Sequence, residues 1–430
     1  MQTRVFVVMV GLAWATPMFA SFKTARAEGK EAVRLSLAEA LERAAAAAPE
    51  VAVAASSVRQ AEARRIGAGV VLPVNPRLSV DVRPTVWGAA SRETGYGAML
   101  DFLFEPGGAP AARVREAEHE ATVARADLAV ERTEARYRAF AAYVRAQVAE
   151  LRIAESRSAL EVSSRVLAAA ERRLSAGAAS ELEQASAELD VALLRGYEVA
   201  AKRERDASLM ELRDVLDLDP AIALELTSAL GEPPAPGDAR RYVEAALRRH
   251  PMLAALSARG DLLATHERRL KSELFPRVGL YGGLDAAPLS PVFGVVGVSI
   301  ELPVAQRNQT LRAVTLRARE AISTRLELES HRLARRIIAA FGAYEARRLE
   351  LTTLSERAVP AAARTLSLAE AGWQAGRFDV FRLLTATRDA LRVRAQRVNA
   401  LEAVWISYIE LERAAGGDDA AKSPAGEVPS

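Results

Sequence analysis

The sequence predicts a mainly α-helical protein that also contributes strands to a membrane β-barrel. Two stretches, at about 111–175 and 309–371, keep the helical spacing of apolar residues over most of their length with very few helix-breaking residues. Each stretch follows a β-hairpin in which apolar and polar residues alternate. The whole arrangement occurs twice in the 430-residue chain. Sixty helical residues make a rod of about 90 Å, which no compact domain needs.

The chain begins with a segment that is typical of a secretory signal. Arg4 precedes an apolar stretch at 5–20, and Ala25-Arg26-Ala27 offers a cleavage site. We therefore predict a signal peptide over residues 1–27, with an alternative cut after Ala20. An N-terminal membrane anchor is disfavoured, because the apolar run is shorter than the ~20 residues needed to span a bilayer.

The rest of the chain is electrically balanced. The full sequence has 58 basic and 55 acidic side chains, and residues 1–27 hold three basic residues and no carboxylate. A mature chain of zero formal charge has no electrostatic basis for binding nucleic acid, which requires excess cationic charge. The absence of cysteine excludes disulfides and thiolate metal sites, and the 50% apolar content excludes wholesale disorder.

Two copies of one unit, about 200 residues apart, account for the length of the chain. The segment 76–80 (PRLSV) matches 276–280 (PRVGL), and Ser175-Ala176-Gly177 matches Gln374-Ala375-Gly376. The shared order of features predicts a duplication. The predicted divisions are a signal peptide at 1–27, a first repeat at 28–216, a connector at 217–238, a second repeat at 239–415 and a disordered tail at 416–430.

Each repeat begins with two helices that are separated by a proline. They are predicted at about 36–47 and 50–71 in the first copy and at about 239–249 and 252–274 in the second. A β-hairpin follows in both copies. Its strands alternate apolar with polar or small residues at every second position, so each hairpin has one apolar face.

The long helix of each copy turns at an Ala-Gly pair, and another helix returns at about 180–216 or 378–415. Apolar residues, many of them small, recur at steps of three and four along the first long helix of each copy, which predicts antiparallel coiled coils. These residues are Val114, Ala117, Ala121, Ala124 and Leu128 in the first copy and Leu311, Val314, Ala318 and Ala321 in the second. Pro360 is expected to interrupt and kink the second long helix.

Four strands cannot close a membrane barrel, which needs about eight or more. The sequence therefore predicts that chains share one barrel. A trimer would supply 12 strands, and its helices would form a 12-helix cylinder continuous with the barrel. The apolar faces would meet outer-membrane lipid and the polar faces would line the lumen. The candidate lumen residues are Asp81, Arg83, Asp101 and Glu301. A periplasmic β-sandwich is the alternative explanation of the same alternation.

Two further segments carry a resemblance to a known family. Gly372–Arg377, followed by Leu383–Ala386, resembles an aromatic-x-x-Gly…Val-Leu-Asp-Ala pattern, and 303–309 (PVAQRNQ) resembles Pro-Leu-Phe-Asn-Arg-Asn-Gln. Together with the signal peptide, the tandem repeat and the helical hairpins, these motifs resemble the TolC family of outer-membrane efflux proteins. The second motif resembles the CzcC-like subgroup, which serves heavy-metal cation efflux.

The resemblance covers about Ser36 to Ala415 and implies a homotrimeric duct that extends from the outer membrane into the periplasm. Such a duct conducts substrate passively from an inner-membrane pump, expected to be of the RND type, and docks on a periplasmic adaptor (membrane fusion) protein. It would use no cofactor and would not be an enzyme. A multidrug or type I secretion channel fits the same family. An adaptor or coiled-coil scaffold without a pore is the alternative of another class, but an adaptor has one helical hairpin and this chain has two.

The resemblance also assigns expectations to residues at the helical tips. Family members can carry aspartates at the periplasmic aperture, and the corresponding positions are Arg382 and Thr385, with Glu183 and Ser186 in the first copy. We predict that Glu183 and Arg382 lie near one another and pair at the mouth. Solvated tip charges without a role are the alternative. The candidates for adaptor docking are Gly177, Trp373, Gly376 and Arg377. Both glycines are expected to end helices in the left-handed conformation.

No metal or catalytic site is predicted. The four histidines and six methionines are scattered along the chain, without the clustered spacing that a metal site needs. The sequence has no Ser/His/Asp constellation, Gly-rich phosphate loop or H-E-x-x-H motif. If the cargo is a metal ion, its recognition is therefore expected to belong to the pump.

Overall fold

The computed structural model describes residues 33–84, 94–177, 179–286 and 291–417. The predicted signal peptide, and the predicted tail beyond its first two residues, lie outside the described residues.

The described elements occur in the same order in the two halves of the chain. The first half contains β1 (Val33–Leu35), α1 (Leu37–Ala47), α2 (Pro49–Ala68), β2 (Arg77–Pro84), β3 (Thr94–Phe104), α3 (Ala109–Ser175) and α4 (Glu181–Val215). The second half contains β4 (Leu224–Leu226), α5 (Ala239–Arg249), α6 (Pro251–Ser272), β5 (Arg277–Ala286), β6 (Phe293–Glu301), α7 (Gln309–Thr353), α8 (Val359–Gln374) and α9 (Val380–Ala415). The predicted helices and hairpins are confirmed to within a few residues. The limits of the repeats stay predictions.

The two long helical rods differ at one point. The helix α3 runs for 67 residues, or about 100 Å, without a break. The corresponding rod in the second half is divided into α7 and α8 by a π-helical turn at Leu354–Ala358, and Pro360 is the second residue of α8. Proline lacks the backbone N–H of a regular helix, so the wider turn accommodates it. The predicted interruption is confirmed.

The two hairpins form one antiparallel sheet with the order β2-β3-β5-β6. Asp81 lies opposite Gly97, which lies opposite Asp285 on the next strand, and Arg277 lies opposite Glu301. Each of the outer strands, β2 and β6, pairs on one side only within the described residues. The sheet therefore has two open edges.

The predicted connector at 217–238 contains a short strand and forms hydrogen bonds with both halves of the chain. Its strand β4 pairs in parallel with β1, and the Leu37 backbone N–H donates to the Ser228 hydroxyl at 3.0 Å. The Trp405 indole N–H donates to the Gly231 carbonyl at 2.9 Å, and the Tyr344 hydroxyl donates to the Pro234 carbonyl. The strand β4 was not predicted from the sequence, because a strand of three residues in a Gly/Pro-rich segment shows too little periodicity to be recognised.

The largest core lies where α1, α3, α7 and α9 meet this small sheet. Its centre is aromatic. Phe140 is fully buried, and its ring centroid lies 5.8 Å from that of Trp405 and 6.4 Å from that of Tyr408. Tyr344 packs on Tyr408 from the other side, with centroids 5.5 Å apart. Helices from both halves are thus joined at one level of the molecule.

The long helices form a layer in which α4 packs on α3, α3 on α9, and α9 on α7 and α8. The predicted seam of the first copy is confirmed at Ala117 and Ala121, which are buried. The predicted seam of the second copy is not packed within the chain, since Leu311 and Val314 are 53% and 61% exposed. The spacing correctly marks an apolar stripe, but α7 uses another stripe, including Leu333 and Ile337, to contact its own chain.

We expect Phe140→Ala to lower the free energy of unfolding by about 3–5 kcal/mol, because it opens a cavity among packed rings. The measurement is denaturant unfolding of the purified protein, followed by helical circular dichroism. Phe293→Ala, at a 47% exposed position, is the matched control. Equal losses for the two variants would contradict a core centred on Phe140.

Candidate functional site

The four-stranded sheet presents one exposed apolar face. The register places apolar residues from all four strands on the same side, and most of these side chains are more than half exposed. They are Leu78, Val80, Val82, Tyr96, Leu100, Leu280, Leu284, Val296, Val298 and Ile300. An exposed apolar surface of this extent indicates contact with lipid or with another protein.

The opposite face of the sheet carries the charges. The register places all four candidate lumen residues on this face. Arg83 forms an ion pair with Asp81 at 2.8 Å and donates to Asp285 on the second hairpin. Arg277 lies 3.9 Å from Glu301. Their place on one face agrees with the predicted alternation, and lining of a lumen stays a prediction.

Glycines make room for side chains that lie across this charged face. A Cβ atom on Gly97 would collide with the Asp81 carboxylate, and one on Gly297 would collide with the Tyr281 ring. These positions therefore favour glycine because a neighbour on the adjacent strand occupies the space above them.

The junction between sheet and helices contains an ion-pair bridge that the sequence reasoning missed. The Glu105 side chain is only 5% exposed and pairs with Arg113 of α3 and, at 3.2 Å, with Arg277 of β5. A carboxylate in this environment stabilises the fold only when it is paired. Glu105 thus links the end of the first hairpin, after β3, to the start of the second hairpin at β5. The feature of the sequence that could have identified Glu105 is its position in the turn between strand and helix.

The motif at 303–309 has a structural role at the equivalent turn. Asn308 adopts the left-handed conformation, with φ of +52°, directly before α7. Its side-chain amide donates to Glu273 at 2.9 Å, and the Arg307 backbone N–H donates to the Gln309 side chain at 2.7 Å. Asparagine tolerates this conformation better than most residues. The motif therefore turns the chain from strand to helix.

The two glycines at the helical tips adopt the predicted conformation. Gly177 and Gly376 have φ values of +73° and +68°, and each follows a long helix. In the same turn, the Arg377 N–H donates to the Gly372 carbonyl at 2.8 Å. The indole N–H of Trp373 is buried and has no hydrogen-bond partner among the described residues. Their predicted role in adaptor docking stays a prediction.

The aperture candidates occupy equivalent places in the returning helices. The Glu183 N–H donates to the Ser180 cap of α4, and the Arg382 N–H donates to the Asp379 cap of α9 at 2.9 Å. Glu183 and Arg382 form no ion pair within this chain, and the Arg382 guanidinium instead lies 5.1 Å from the Phe378 ring centroid. The predicted pair would therefore have to join Glu183 of one copy to Arg382 of another copy.

The other two candidates lie one turn further along these helices. Thr385 donates its hydroxyl hydrogen to the Phe381 carbonyl at 2.8 Å, which satisfies it within α9. Ser186 is half-buried on α4.

A different pair joins the two helical hairpins near their tips. Arg388 of α9 donates through Nε to both oxygens of Asp190 on α4, at 2.8 and 3.0 Å. The Asp190 side chain is 8% exposed, while that of Arg388 is 47% exposed. The available signal was a carboxylate within the otherwise apolar seam of Ala187 and Val191.

We expect Arg388→Ala to destabilise the protein by about 2–3 kcal/mol, because it leaves the Asp190 carboxylate buried and unpaired. Asp190→Ala should cost only about 1 kcal/mol, since the half-exposed guanidinium that it leaves behind is solvated. Denaturant unfolding of both variants measures this difference. A smaller loss for Arg388→Ala than for Asp190→Ala would contradict it.

The described residues contain no cluster of three or more His, Cys, Asp or Glu that could hold a metal ion. Among the described histidines, His266 pairs with Glu116 and His250 caps α6.

None of the helices in the described ranges has the length and apolar character required to cross a bilayer.

Comparison with known proteins gives matches of two kinds. Residues 242–417 match the model of the outer membrane efflux protein family. Over 364 residues the chain is 26% identical to the cobalt-zinc-cadmium resistance protein CzcC of Cupriavidus metallidurans, covering 80% of this chain and 82% of that protein.

Solved structures with the same fold are outer-membrane proteins. The chain superposes on the outer-membrane channel OprN with a TM-score of 0.73 at 20% identity, covering 89% of this chain and 90% of that one. The outer membrane protein VceC of Vibrio cholerae gives a TM-score of 0.71 at 18% identity, covering 89% of this chain and 96% of that one. These likenesses cover both halves of the chain and identify its fold.

Proposed function

We propose that the chain is an outer-membrane efflux protein of the TolC family, which its match to the outer membrane efflux protein family over residues 242–417 and its similarity to CzcC support, and that three copies of it form the exit duct of a tripartite efflux system. The duct conducts substrate passively from an inner-membrane pump and a periplasmic adaptor to the exterior.

The observation that supports this proposal most directly is the sheet. It has an exposed apolar face, a charged face and two unpaired edges, β2 and β6. Unpaired backbone groups are too costly to leave in lipid, so a membrane sheet must close on itself. Pairing of β2 with β6 of the next copy closes a barrel of 12 strands around a lumen that the charged face lines.

The helices continue this duct into the periplasm. The helix α3 alone is about 100 Å long, and the tips near Gly177 and Gly376 lie at its far end. The turn there, with the half-buried Trp373 and the exposed Arg377, is the proposed docking point of the adaptor.

The proposed cargo is heavy-metal cations, carried by an RND-type pump. Support comes from the similarity to CzcC, whose name describes cobalt, zinc and cadmium resistance, and from the motif at 303–309. Multidrug export and protein secretion are the alternatives. The proposed duct performs no chemistry, so the pump selects the cargo.

The function is tested with the purified protein in planar bilayers and with a strain that lacks it. We expect heat-resistant trimers in the outer-membrane fraction and stepwise conductance. A monomer that forms no pores would overturn the proposed duct.

The cargo is tested in the same strain. Loss of the protein should lower tolerance to zinc, cobalt or cadmium salts and leave tolerance to hydrophobic drugs unchanged. Restored drug tolerance alone, on complementation, would assign the duct to a multidrug system.

We expect Glu183→Ala and Arg382→Ala trimers to conduct more than the unaltered trimer, because each variant removes one partner of the proposed charge pair at the aperture. Single-channel conductance at low salt measures this, since salt screens exposed pairs. Glu181→Ala, in the same turn of α4, is the control. Unchanged conductance in both variants would leave these residues as solvated tip charges.

A further inference from the structure

Two arginines near the junction of the helices with the sheet have no acidic partner. Arg115 of α3 and Arg268 of α6 are exposed, and neither forms an ion pair with another described residue. Arg115 donates through Nε to the Ala111 carbonyl of its own helix at 3.3 Å, which leaves its charge unneutralised. Each side chain therefore carries a free positive charge.

The carboxylates within four residues of either arginine are already paired with other bases. They are Glu116 (with Arg269), Glu118 (with Arg65) and Glu267 (with Lys271 and Arg319). The charges of Arg115 and Arg268 are thus in excess at this level of the helices, although the mature chain as a whole is balanced.

Arg115 and Arg268 lie at the same height on neighbouring helices. The helix α3 leaves the sheet and α6 approaches it, and Glu116 pairs with His266 between the two. Arg115 is one residue nearer to the sheet than this pair and Arg268 is two residues nearer, so their heights agree within about 2 Å. Because the axes of packed helices are about 8–10 Å apart, the two guanidinium groups are close enough to share one anion.

On α3, Arg115 points away from the charged side of the molecule. Arg113 pairs with Glu105, which also pairs with Arg277 of the charged sheet face. Arg115 lies two residues after Arg113, which is about 200° around the helix. Arg115 is therefore on the side to which the apolar face of the sheet belongs.

On α6, Arg268 points in the same direction as Arg115. Asp127 of α3 lies 14 residues after Arg113, within about 40° of it around the helix, and pairs with Arg259 of α6 at 2.9 Å. Arg268 lies nine residues after Arg259, which is about 180° around α6. The two free arginines thus lie side by side below the apolar face.

Aromatic residues mark the end of the apolar face that is nearer to the helices. Phe104, the last residue of β3, is 40% exposed, and Phe275, between α6 and β5, is 62% exposed. Tyr96 is on the same face of β3, eight residues or about 27 Å along the strand from Phe104. This length is comparable to the ~25 Å apolar band of outer-membrane barrels, which aromatic residues flank on both sides.

The free arginines lie just beyond this border. Arg115 is six residues from the start of α3 and Arg268 is four residues from the end of α6, so they lie about 6–9 Å from the helix ends that adjoin the sheet. The headgroup layer on each side of a hydrocarbon core is about 5–8 Å thick. With the apolar face in the hydrocarbon, both arginines therefore lie at the level of the lipid phosphates.

We propose that Arg115 and Arg268, with Lys271 one turn nearer to the sheet, bind the phosphate of an anionic phospholipid in the leaflet that faces the periplasm. This inference rests on the proposed duct, because it requires the apolar face to lie in the membrane. Guanidinium groups donate two parallel hydrogen bonds to phosphate oxygens, and basic residues at this depth are attracted to anionic lipid.

Continuity with the apolar face favours a lipid over other anions at this position. The acyl chains of a phospholipid bound by the two arginines would lie against Phe104 and Phe275, so one molecule would cover both the charged and the apolar surface. A second copy of the chain is not the occupant, because α3 and α6 are the inner members of the series α2, α3, α6 and α7, in which each helix packs on the next.

The test measures lipid binding to the purified protein by native mass spectrometry in detergent. We expect the double variant Arg115→Gln and Arg268→Gln to bind added phosphatidylglycerol about tenfold or more weakly, because two cationic contacts are lost. Its binding of phosphatidylethanolamine, which has no net charge, should be unchanged. Inorganic phosphate at constant ionic strength should not displace the lipid, since it makes no apolar contact.

A matched pair of arginines provides the control. Arg165 of α3 and Arg195 of α4 are exposed and form no ion pair with another described residue, but Arg165 lies about 75 Å beyond Arg115 along the helix. Arg165→Gln with Arg195→Gln should bind phosphatidylglycerol as the unaltered chain does. Replacement of Arg115 and Arg268 by lysine keeps both charges and should keep the preference for phosphatidylglycerol over phosphatidylethanolamine.

Unaltered phosphatidylglycerol affinity in the Arg115→Gln and Arg268→Gln variant would overturn the inference. Displacement of the lipid by inorganic phosphate would also overturn it, because the arginines would then bind free anions. The variant should keep the helical circular dichroism and the single-channel conductance of the unaltered chain, since both side chains lie outside the proposed duct. Failure of the unaltered chain to form conducting trimers would instead overturn the duct.

Discussion

The unpaired strand edges are the constraint on which the rest of the structure depends. β2 and β6 each pair on one side only within the described residues, and the sheet between them is apolar on one face and charged on the other. The backbone N–H and C=O groups on these two edges lack hydrogen-bond partners within the sheet. In the proposed duct, neighbouring copies supply the missing strands.

The turns between the sheet and the helices determine how each hairpin leads into its long helix. Both long rods begin after a residue in the left-handed conformation, Gly108 in one half and Asn308 in the other, so both hairpins feed their helices in the same way. Glu105 then links the two halves through Arg113 and Arg277. A short strand and an aromatic core join the halves again further down. The chain therefore consists of two similar halves that are joined at the Glu105 ion pairs and again at the aromatic core.

Local patterns in the sequence predicted most of the fold, because hairpins, helices and turns depend on residues that are close in sequence. Alternation identified the hairpins, helical spacing the rods, and Gly177, Gly376 and Pro360 the turns and the interruption. The missed features are pairings between distant residues. β1 and β4 are three residues long and 191 residues apart, and Asp190 and Arg388 are 198 apart. Spacing also identifies an apolar stripe without naming its neighbour, which is why Leu311 and Val314 were assigned to a seam within the chain.

Charge is distributed unevenly over the described residues. On the charged face of the sheet, Arg83 pairs with both Asp81 and Asp285, so it neutralises only one of these two carboxylates. No ligand cluster for a metal ion occurs within the described part of the chain. Two of the long helices are also unbalanced: α4 holds nine acidic and five basic residues, and α7 holds nine arginines and five glutamates. In the proposed duct, selection of the substrate is left to the proteins that deliver it.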